Sequence, residues 1–189
     1  MSELTLMDLL ESRENRVHRQ KQLMNDNGGV LVSFTLNIPG PVKDSPSYRG
    51  ALYEGMAQMK DKLYDLGGVT LNYEQVRLLK TGPEGFLCVE STVGGSVMDL
   101  ALAVKKAAIA VEEGSRLGRL FDIDVLWEEG SVSRSAFGGE PRKCLLCDGD
   151  AKVCARSRAH KMEDLLAEID RILEEEGLLR RKEPLRFGV

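Results

Sequence analysis

The feature that most constrains this chain is a switch between two hydrophobic periods, repeated in order between residues 30 and 127. Residues 30 to 38 set Val30, Val32, Phe34, Leu36 and Ile38 against Leu31, Ser33, Thr35 and Asn37, the period of two of a half-buried strand. Pro39-Gly40-Pro41 stops that strand, and Ala51, Leu52, Met56, Met59, Leu63 and Leu66 then recur at helical spacing up to Gly67-Gly68. Val69, Leu71 and Tyr73 alternate again. Beyond a turn at Thr81 to Gly85, the run Phe86 to Val89 reads as the second strand of a hairpin. Ser96 and Asp99 spell a capping box before Val97, Leu100, Ala101, Val104, Ala108 and Val111, and Gly114 closes that helix. Residues 119 to 127 return to period two, with Phe121, Ile123, Val125 and Trp127 opposed to Leu120, Asp122, Asp124 and Leu126. The order strand, helix, strand, strand, helix, strand predicts an α+β fold, a ferredoxin-like βαββαβ sheet with both helices on one face.

Two segments flank this pattern. Residues 4 to 24 have the loose apolar spacing of an N-terminal helix ending at Asn25-Asp26-Asn27-Gly28-Gly29. Residues 128 to 159, rich in Gly, Ser, Arg and Cys, show no period and read as a long ordered loop with at most a short helix. Met162, Leu165, Leu166, Ile169, Ile172 and Leu173 follow as one amphipathic helix up to Gly177, and the tail from Arg180 reads as frayed. The expectation is a single domain over 1–189, with an α/β core at 30–127 and a Cys/Arg-rich loop plus helix as a C-terminal extension at 128–189.

Charge and motifs exclude several function classes. With 26 basic and 30 acidic residues the net charge is -4, which argues against a nucleic-acid coat or a polybasic membrane anchor and makes any phosphate recognition local. No run approaches the apolar length of a membrane helix, and Met1 to Glu14 lacks a signal-peptide pattern, so a cytoplasmic location is expected. The four cysteines, Cys88, Cys144, Cys147 and Cys154, are expected to be reduced. There is no G-x-x-x-x-G-K-[ST] loop, no G-x-G-x-x-G after a strand and no G-x-S-x-G elbow.

If the apolar strand faces meet the two helices, the opposite face displays Ser33, Thr35, Asn37, Thr70, Asn72, Asp122 and Asp124. Asp122 and Asp124 then point to one side with Cα atoms about 7 Å apart, close enough to share a divalent cation such as Mg2+. An exposed polar strand face is the other reading of the same pair. From Arg134 to Lys161 the chain carries Arg134, Arg142, Lys143, Lys152, Arg156, Arg158 and Lys161 against Glu140, Asp148 and Asp150, which suits either an anionic partner or a solvated surface. Cys144, Cys147, Cys154 and His160, in the order C-x2-C-x6-C-x5-H, supply the ligand types of a Cys3His Zn2+ site, although buried structural thiols would leave the same trace. His18, among Arg16, Arg19 and Lys21, is expected to be solvent-exposed.

The segments LVSFTLNIPGPVKDS (Leu31 to Ser45), GPEG (Gly82 to Gly85), LGRLFDIDVL (Leu117 to Leu126), RKCLLC (Arg142 to Cys147) and VCARSRAH (Val153 to His160) together resemble the apo-citrate lyase phosphoribosyl-dephospho-CoA transferases, or holo-citrate lyase synthases. The G-R-L-x-D-x-D-V block is the most specific of them. The resemblance implies a nucleotidyltransferase. Such an enzyme moves phosphoribosyl-dephospho-CoA from 2'-(5''-triphosphoribosyl)-3'-dephospho-CoA to a serine of the apo acyl carrier subunit of citrate lyase, releasing diphosphate.

Joined to the residue reading, this assigns Asp122 and Asp124 to Mg2+ and the reacting phosphate, one of them helping to deprotonate the serine. Arg119, with Arg134 or Arg142, stabilises the leaving group. Arg156 and Arg158 face the dephospho-CoA phosphates or an acidic carrier, and Asn37, Lys43 and Asp44 line the pocket. The alternative from another class is a non-catalytic carrier-protein docking or chaperone subunit. A zinc-organised nucleic-acid binder is disfavoured by the charge and by the few aromatic side chains near Cys144.

Overall fold

A computed structural model describes residues 4–139 and 141–179, so the tail from Arg180 lies outside the described residues. The chain runs α1 (Leu6–Asn27), β1 (Val30–Leu36), α2 (Pro46–Asp65), β2 (Val69–Leu79), β3 (Gly82–Ser91), α3 (Val97–Glu113), β4 (Phe121–Trp127), β5 (Gly130–Ser131), α4 (Ala151–Ser157) and α5 (Met162–Glu175). The strands form one antiparallel sheet in the order β2-β3-β1-β4-β5. Without the short β5, this is the split βαβ arrangement: α2 crosses over β3, and α3 crosses over β1. Among the described residues no helix is long and apolar enough to cross a membrane.

One face of the sheet carries the main core. Val30, Val32, Phe34, Leu87, Val89, Ile123 and Val125 pack against Leu52, Met56, Met59 and Leu63 of α2 and Val104, Ala108 and Val111 of α3; Ile169, Ile172 and Leu173 of α5 join the same cluster. Helix α2 approaches unusually closely because Gly55 has no side chain: a Cβ there would stand 2.4 Å from Phe34 Cζ and 2.7 Å from Phe121 Cζ. Those two rings meet edge to face with centroids 5.1 Å apart.

The other face is not open, as the alternation alone suggests, because α1 lies across it. Leu23 of α1 packs on Leu31, Phe86 and Cys88, and Gln20 donates to Ser33 at 2.8 Å. Arg19 donates to Gln75 and Tyr73, and Asn72 to the Asn27 carbonyl. Polar groups of the helix thus satisfy polar groups of the sheet, which explains why α1 shows only a loose apolar stripe. Its first turn is closed by a capping box, Thr5 with Asp8.

Two further boundaries differ from the sequence pattern. Gly82, Pro83 and Glu84 belong to β3 rather than to a turn, because the hairpin closes at Lys80-Thr81 and Leu79 pairs with Gly82. Arg119 lies on a 3-10 turn, Leu117–Leu120, and β4 begins only at Phe121. Beyond β4, α3 does the work of a neighbouring strand: Lys105 Nζ donates to the Ile123 carbonyl at 2.8 Å, and Glu112 accepts from the Ile123 N–H at 3.0 Å. The exposed edge of the sheet is thereby blunted.

Candidate functional site

Strand register builds the site. Asp122 of β4 pairs with Thr35 of β1, Asp124 pairs with Ser33, and Phe34 pairs with Gly85 of β3. Continuing the β1–β3 register sets Thr35 beside Glu84, so Asp122, Thr35 and Glu84 form a row across the sheet face that α1 covers. Glu84 in turn pairs with Arg77 of β2. The N-terminal half of α1 and the loop after β1 close over this row to leave a polar cavity of about 180 Å3. Its charged lining is Arg13, Arg16, Lys43, Glu84 and Asp122, joined by Asn37.

Burial sets the electrostatics. Glu84 is 2% exposed, and Arg16 Nη1 lies 3.3 Å from its Oε1 and Arg77 Nη1 3.8 Å from its Oε2, which has no hydrogen-bond partner among the described residues. Loss of hydration pushes the Glu84 carboxyl above its usual range, against the pull of the two arginines. Asp124 is exposed, yet loss of hydration beside the packed strands raises its carboxyl, and the charge of Asp122 raises it further; Lys105 and Arg16 oppose this. The Lys43 ammonium is pushed down by burial and then by the charge of Arg13, while its Nζ donates to the Ile38 carbonyl.

Of the residues singled out in the sequence, Thr35, Asp122, Asn37 and Lys43 line this cavity, and Asp124 stands two residues along β4 from Asp122 on the same face. Arg119, Arg134 and Arg142 do not line it. Arg119 Nη2 donates to the carbonyls of Lys143 and Cys144, each at 2.8 Å. Arg134 is ion-paired with Glu112 and Glu113 of α3, and Arg142 donates to the Phe121 carbonyl. Since β4 starts after Arg119, its guanidinium points to the cysteine-rich segment instead of joining the aspartates. Arg119 and Arg142 instead line a second, larger cavity of about 540 Å3 with Asn37, Pro39, Leu145, Arg158 and Leu165. Asn37 therefore stands at both cavities. Arg156 and Arg158 are exposed and make no ion pair among the described residues. Asp44 accepts from Arg49 at 2.8 Å, outside the cavity lining.

Arg13, Arg16 and Glu84 escaped the sequence reading. Arg13 and Arg16 are three apart on a helix, a spacing that puts them on one face, and Glu84 sits inside the GPEG segment. Their convergence depends on which sheet face α1 covers, and no period reports that.

The cysteines of the last segment converge as well. Cys144, Cys147, Cys154 and His160 offer ligand atoms that all lie within 4.8 Å of one another. Cys88 is remote from them, buried beneath α1.

A family sequence model described as apo-citrate lyase phosphoribosyl-dephospho-CoA transferase matches residues 4–176. The chain belongs to this family. Relatives carrying that same name, from Escherichia coli O1:K1, Escherichia coli O45:K1 and Shigella boydii serotype 18, are each 36% identical over 171 residues, covering 90% of this chain and 88% of theirs. The span matched to the transferase family takes in α1 and α5 besides the sheet, so the arginines of α1 and the cysteine cluster both fall within it. Chemically, the smaller cavity joins hard oxygen ligands to fixed cations in a confined space, which suits a polyphosphate better than a neutral substrate.

Proposed function

We propose that this chain transfers phosphoribosyl-dephospho-CoA from 2'-(5''-triphosphoribosyl)-3'-dephospho-CoA to a serine of the apo acyl carrier subunit of citrate lyase; its relatives are named apo-citrate lyase phosphoribosyl-dephospho-CoA transferases, and the donor and the serine are what the sequence resemblance implies. Those names favour transfer over a non-catalytic docking or chaperone role. The observation that carries the reading at the site is the cavity in which Asp122 and Glu84 meet Arg13, Arg16 and Lys43. In the reaction, the serine oxygen bonds to the phosphorus nearest the ribose, the bond from that phosphorus to diphosphate breaks, and the serine proton passes to a base.

Asp122 and Asp124 would hold Mg2+. They fit such an ion because both are oxygen donors on one strand face, and part of the cost of ionising Asp124 is the charge of Asp122. Bound there, Mg2+ supplies charge neutralisation at the triphosphate. One of the two aspartates accepts the serine proton. Arg13, Arg16 and Lys43 hold the departing diphosphate. Asn37, shared by both cavities, orients the ribose phosphate between them, and Arg119, Arg142 and Arg158 take the dephospho-CoA portion in the larger one. Arg156 meets the acidic carrier, while Arg134, committed to Glu112 and Glu113, keeps a structural role.

The core at 30–127 and the segment after it act as one domain, since α5 packs into the main core. Free cysteines and a CoA-derived substrate support a cytoplasmic setting. The test is the intact mass of apo carrier subunit incubated with this protein, Mg2+ and the triphosphoribosyl precursor. A gain equal to the phosphoribosyl-dephospho-CoA group, absent with EDTA and with Asp122→Asn, is the expected result. No gain with a competent carrier and precursor overturns the reading.

A further inference from the structure

The segment between β5 and α5 lacks the ordinary means of holding a shape. Helix α4 has seven residues and buries none of them. A helix this short is not stable by itself in water, and burial of an apolar face is what normally compensates. Yet the segment is ordered by a specific set of contacts around sulfur. Lys143 and Asp150 form an isolated β-bridge, and the Cys144 N–H donates to the Gly149 carbonyl at 2.6 Å, folding Cys144 to Gly149 into a tight knuckle. The N–H groups of Leu146 and Cys147 point back at the Cys144 sulfur. Gly149 packs close to the cluster: a Cβ there would stand in van der Waals contact with the sulfurs of Cys147 and Cys154, each at 3.5 Å.

Two spacings inside the cluster are those of ligands around one ion. Cys147 Sγ stands 3.6 Å from Cys154 Sγ and 3.3 Å from His160 Nε2. A tetrahedral centre with Zn–S bonds of about 2.3 Å and Zn–N bonds of about 2.0 Å places two sulfurs about 3.8 Å apart and a sulfur and nitrogen about 3.5 Å apart. Burial does not account for the gathering of these thiols: Cys144 is buried, but Cys147 is exposed and Cys154 and His160 are only half-buried. A disulfide does not account for it either, because all of these cysteines are free.

We propose that Cys144, Cys147, Cys154 and His160 hold a structural zinc ion that fastens the knuckle and α4 to the wall of the larger cavity. Four protein ligands fill a tetrahedron and leave no position for substrate or water, so the ion does not take part in the transfer. Its effect reaches the site through the backbone. The carbonyls of Lys143 and Cys144 accept from Arg119, and Cys144, Cys154 and His160 themselves line the cavity together with Asn37 and Leu165. The zinc thus fixes one wall of the chamber, and the inference stands independently of which substrate enters it.

The test is the metal content of the full chain, purified under reducing conditions, reconstituted with zinc and freed of loose metal. About one zinc per chain is expected in the wild type, in Cys88→Ala and in Asp122→Asn, and far less in Cys147→Ser and Cys154→Ser. Cobalt substitution provides a second readout that survives a poorly folding serine variant. The wild type should show sulfur-to-cobalt charge-transfer bands together with intense tetrahedral ligand-field bands, and Cys154→His should keep the latter while losing part of the former. A zinc chelator strong enough to strip the ion should lower the melting temperature of the wild type and leave that of Cys154→Ser unmoved. Substoichiometric metal in the reconstituted wild type, or a content unchanged by Cys147→Ser and Cys154→Ser, overturns the proposal.

Discussion

Arg16 reaches from α1 to Glu84 on β3, Nη1 to Oε1 at 3.3 Å, and ties helix to sheet through a carboxylate that solvent scarcely touches. Removing one partner of such a pair costs more than the pair is worth, because the other is left buried and charged. Arg77, at 3.8 Å, offers only partial replacement. Arg16→Ala is expected to destabilise the fold by about 1–3 kcal/mol at neutral pH. Adding Glu84→Gln should recover part of that loss, so a denaturant double-mutant cycle should be clearly non-additive. Additive effects would mean that Arg16 does not serve Glu84.

The same carboxylate sets a pH dependence. Burial raises the folded pKa of Glu84, so the native state holds its proton to higher pH than the unfolded chain does. Its share of the stability is therefore lost as pH rises from the ordinary carboxylate range, about pH 4, through the raised folded value, and is constant above that. Glu84→Gln has no such proton, so its stability relative to wild type should climb over that window and then level off. Urea melts at a series of pH values measure this directly, and a flat difference would contradict the assignment.

Asp124 is raised in part by Asp122, and a divalent cation removes that repulsion. Mg2+ should therefore raise the melting temperature of the wild type, and the shift should fade in acid as protons displace the cation. With Mg2+ at 100 times its dissociation constant the gain would be about 2.7 kcal/mol. Asp122→Asn should abolish the shift while raising the metal-free melting temperature or leaving it unchanged. An equal shift in both proteins would place the cation elsewhere.

Gly55 gives a test of the fold that is separate from the chemistry. Alanine is the better helix former by about 1 kcal/mol, yet its Cβ would enter the space of Phe34 and Phe121. Overpacking of this kind costs about 1–3 kcal/mol, so Gly55→Ala should come out destabilised on balance. A lower urea midpoint with an unchanged slope is the expected measurement.

The parts of this molecule that were legible in sequence are those where one face is apolar and the other polar. β1, α3 and β4 declare themselves because Val30, Val32 and Phe34, or Ile123 and Val125, must avoid water. The role of α1 did not declare itself. Its inward residues include Arg16, Arg19 and Gln20, which bind polar groups of the sheet and leave little apolar signature. Glu84 and Asp122 come together only through the β3–β1–β4 register, over a long separation in sequence that no local period encodes. Arg119 misled for a simpler reason: adjacency to the aspartates in sequence does not survive a 3-10 turn at residues 117–120. The cysteine spacing was readable, but its convergence with His160 depends on the turn that Arg158 makes with φ at 51°.

Lys43 and Arg13 share the cavity and, among the described residues, neither is paired with a carboxylate, which is the arrangement an incoming polyphosphate would complete. Burial and the charge of Arg13 push the Lys43 ammonium below the usual lysine range, so in the free enzyme it loses its proton earlier than a surface lysine. The kcat/KM of transfer should accordingly fall on the alkaline side below the ordinary lysine pKa. In Arg13→Met that limb should move to higher pH, because the repelling charge is gone, even as substrate affinity drops. Each charged contact is worth about 1.5–3 kcal/mol, or about 10- to 100-fold in kcat/KM, for Lys43→Met and Arg13→Met at neutral pH. Arg134→Met should change stability rather than kcat/KM, since its guanidinium is already bound to Glu112 and Glu113. If Arg134→Met impaired transfer in the folded enzyme and Lys43→Met did not, the phosphates would have to lie on the α3 side of the sheet.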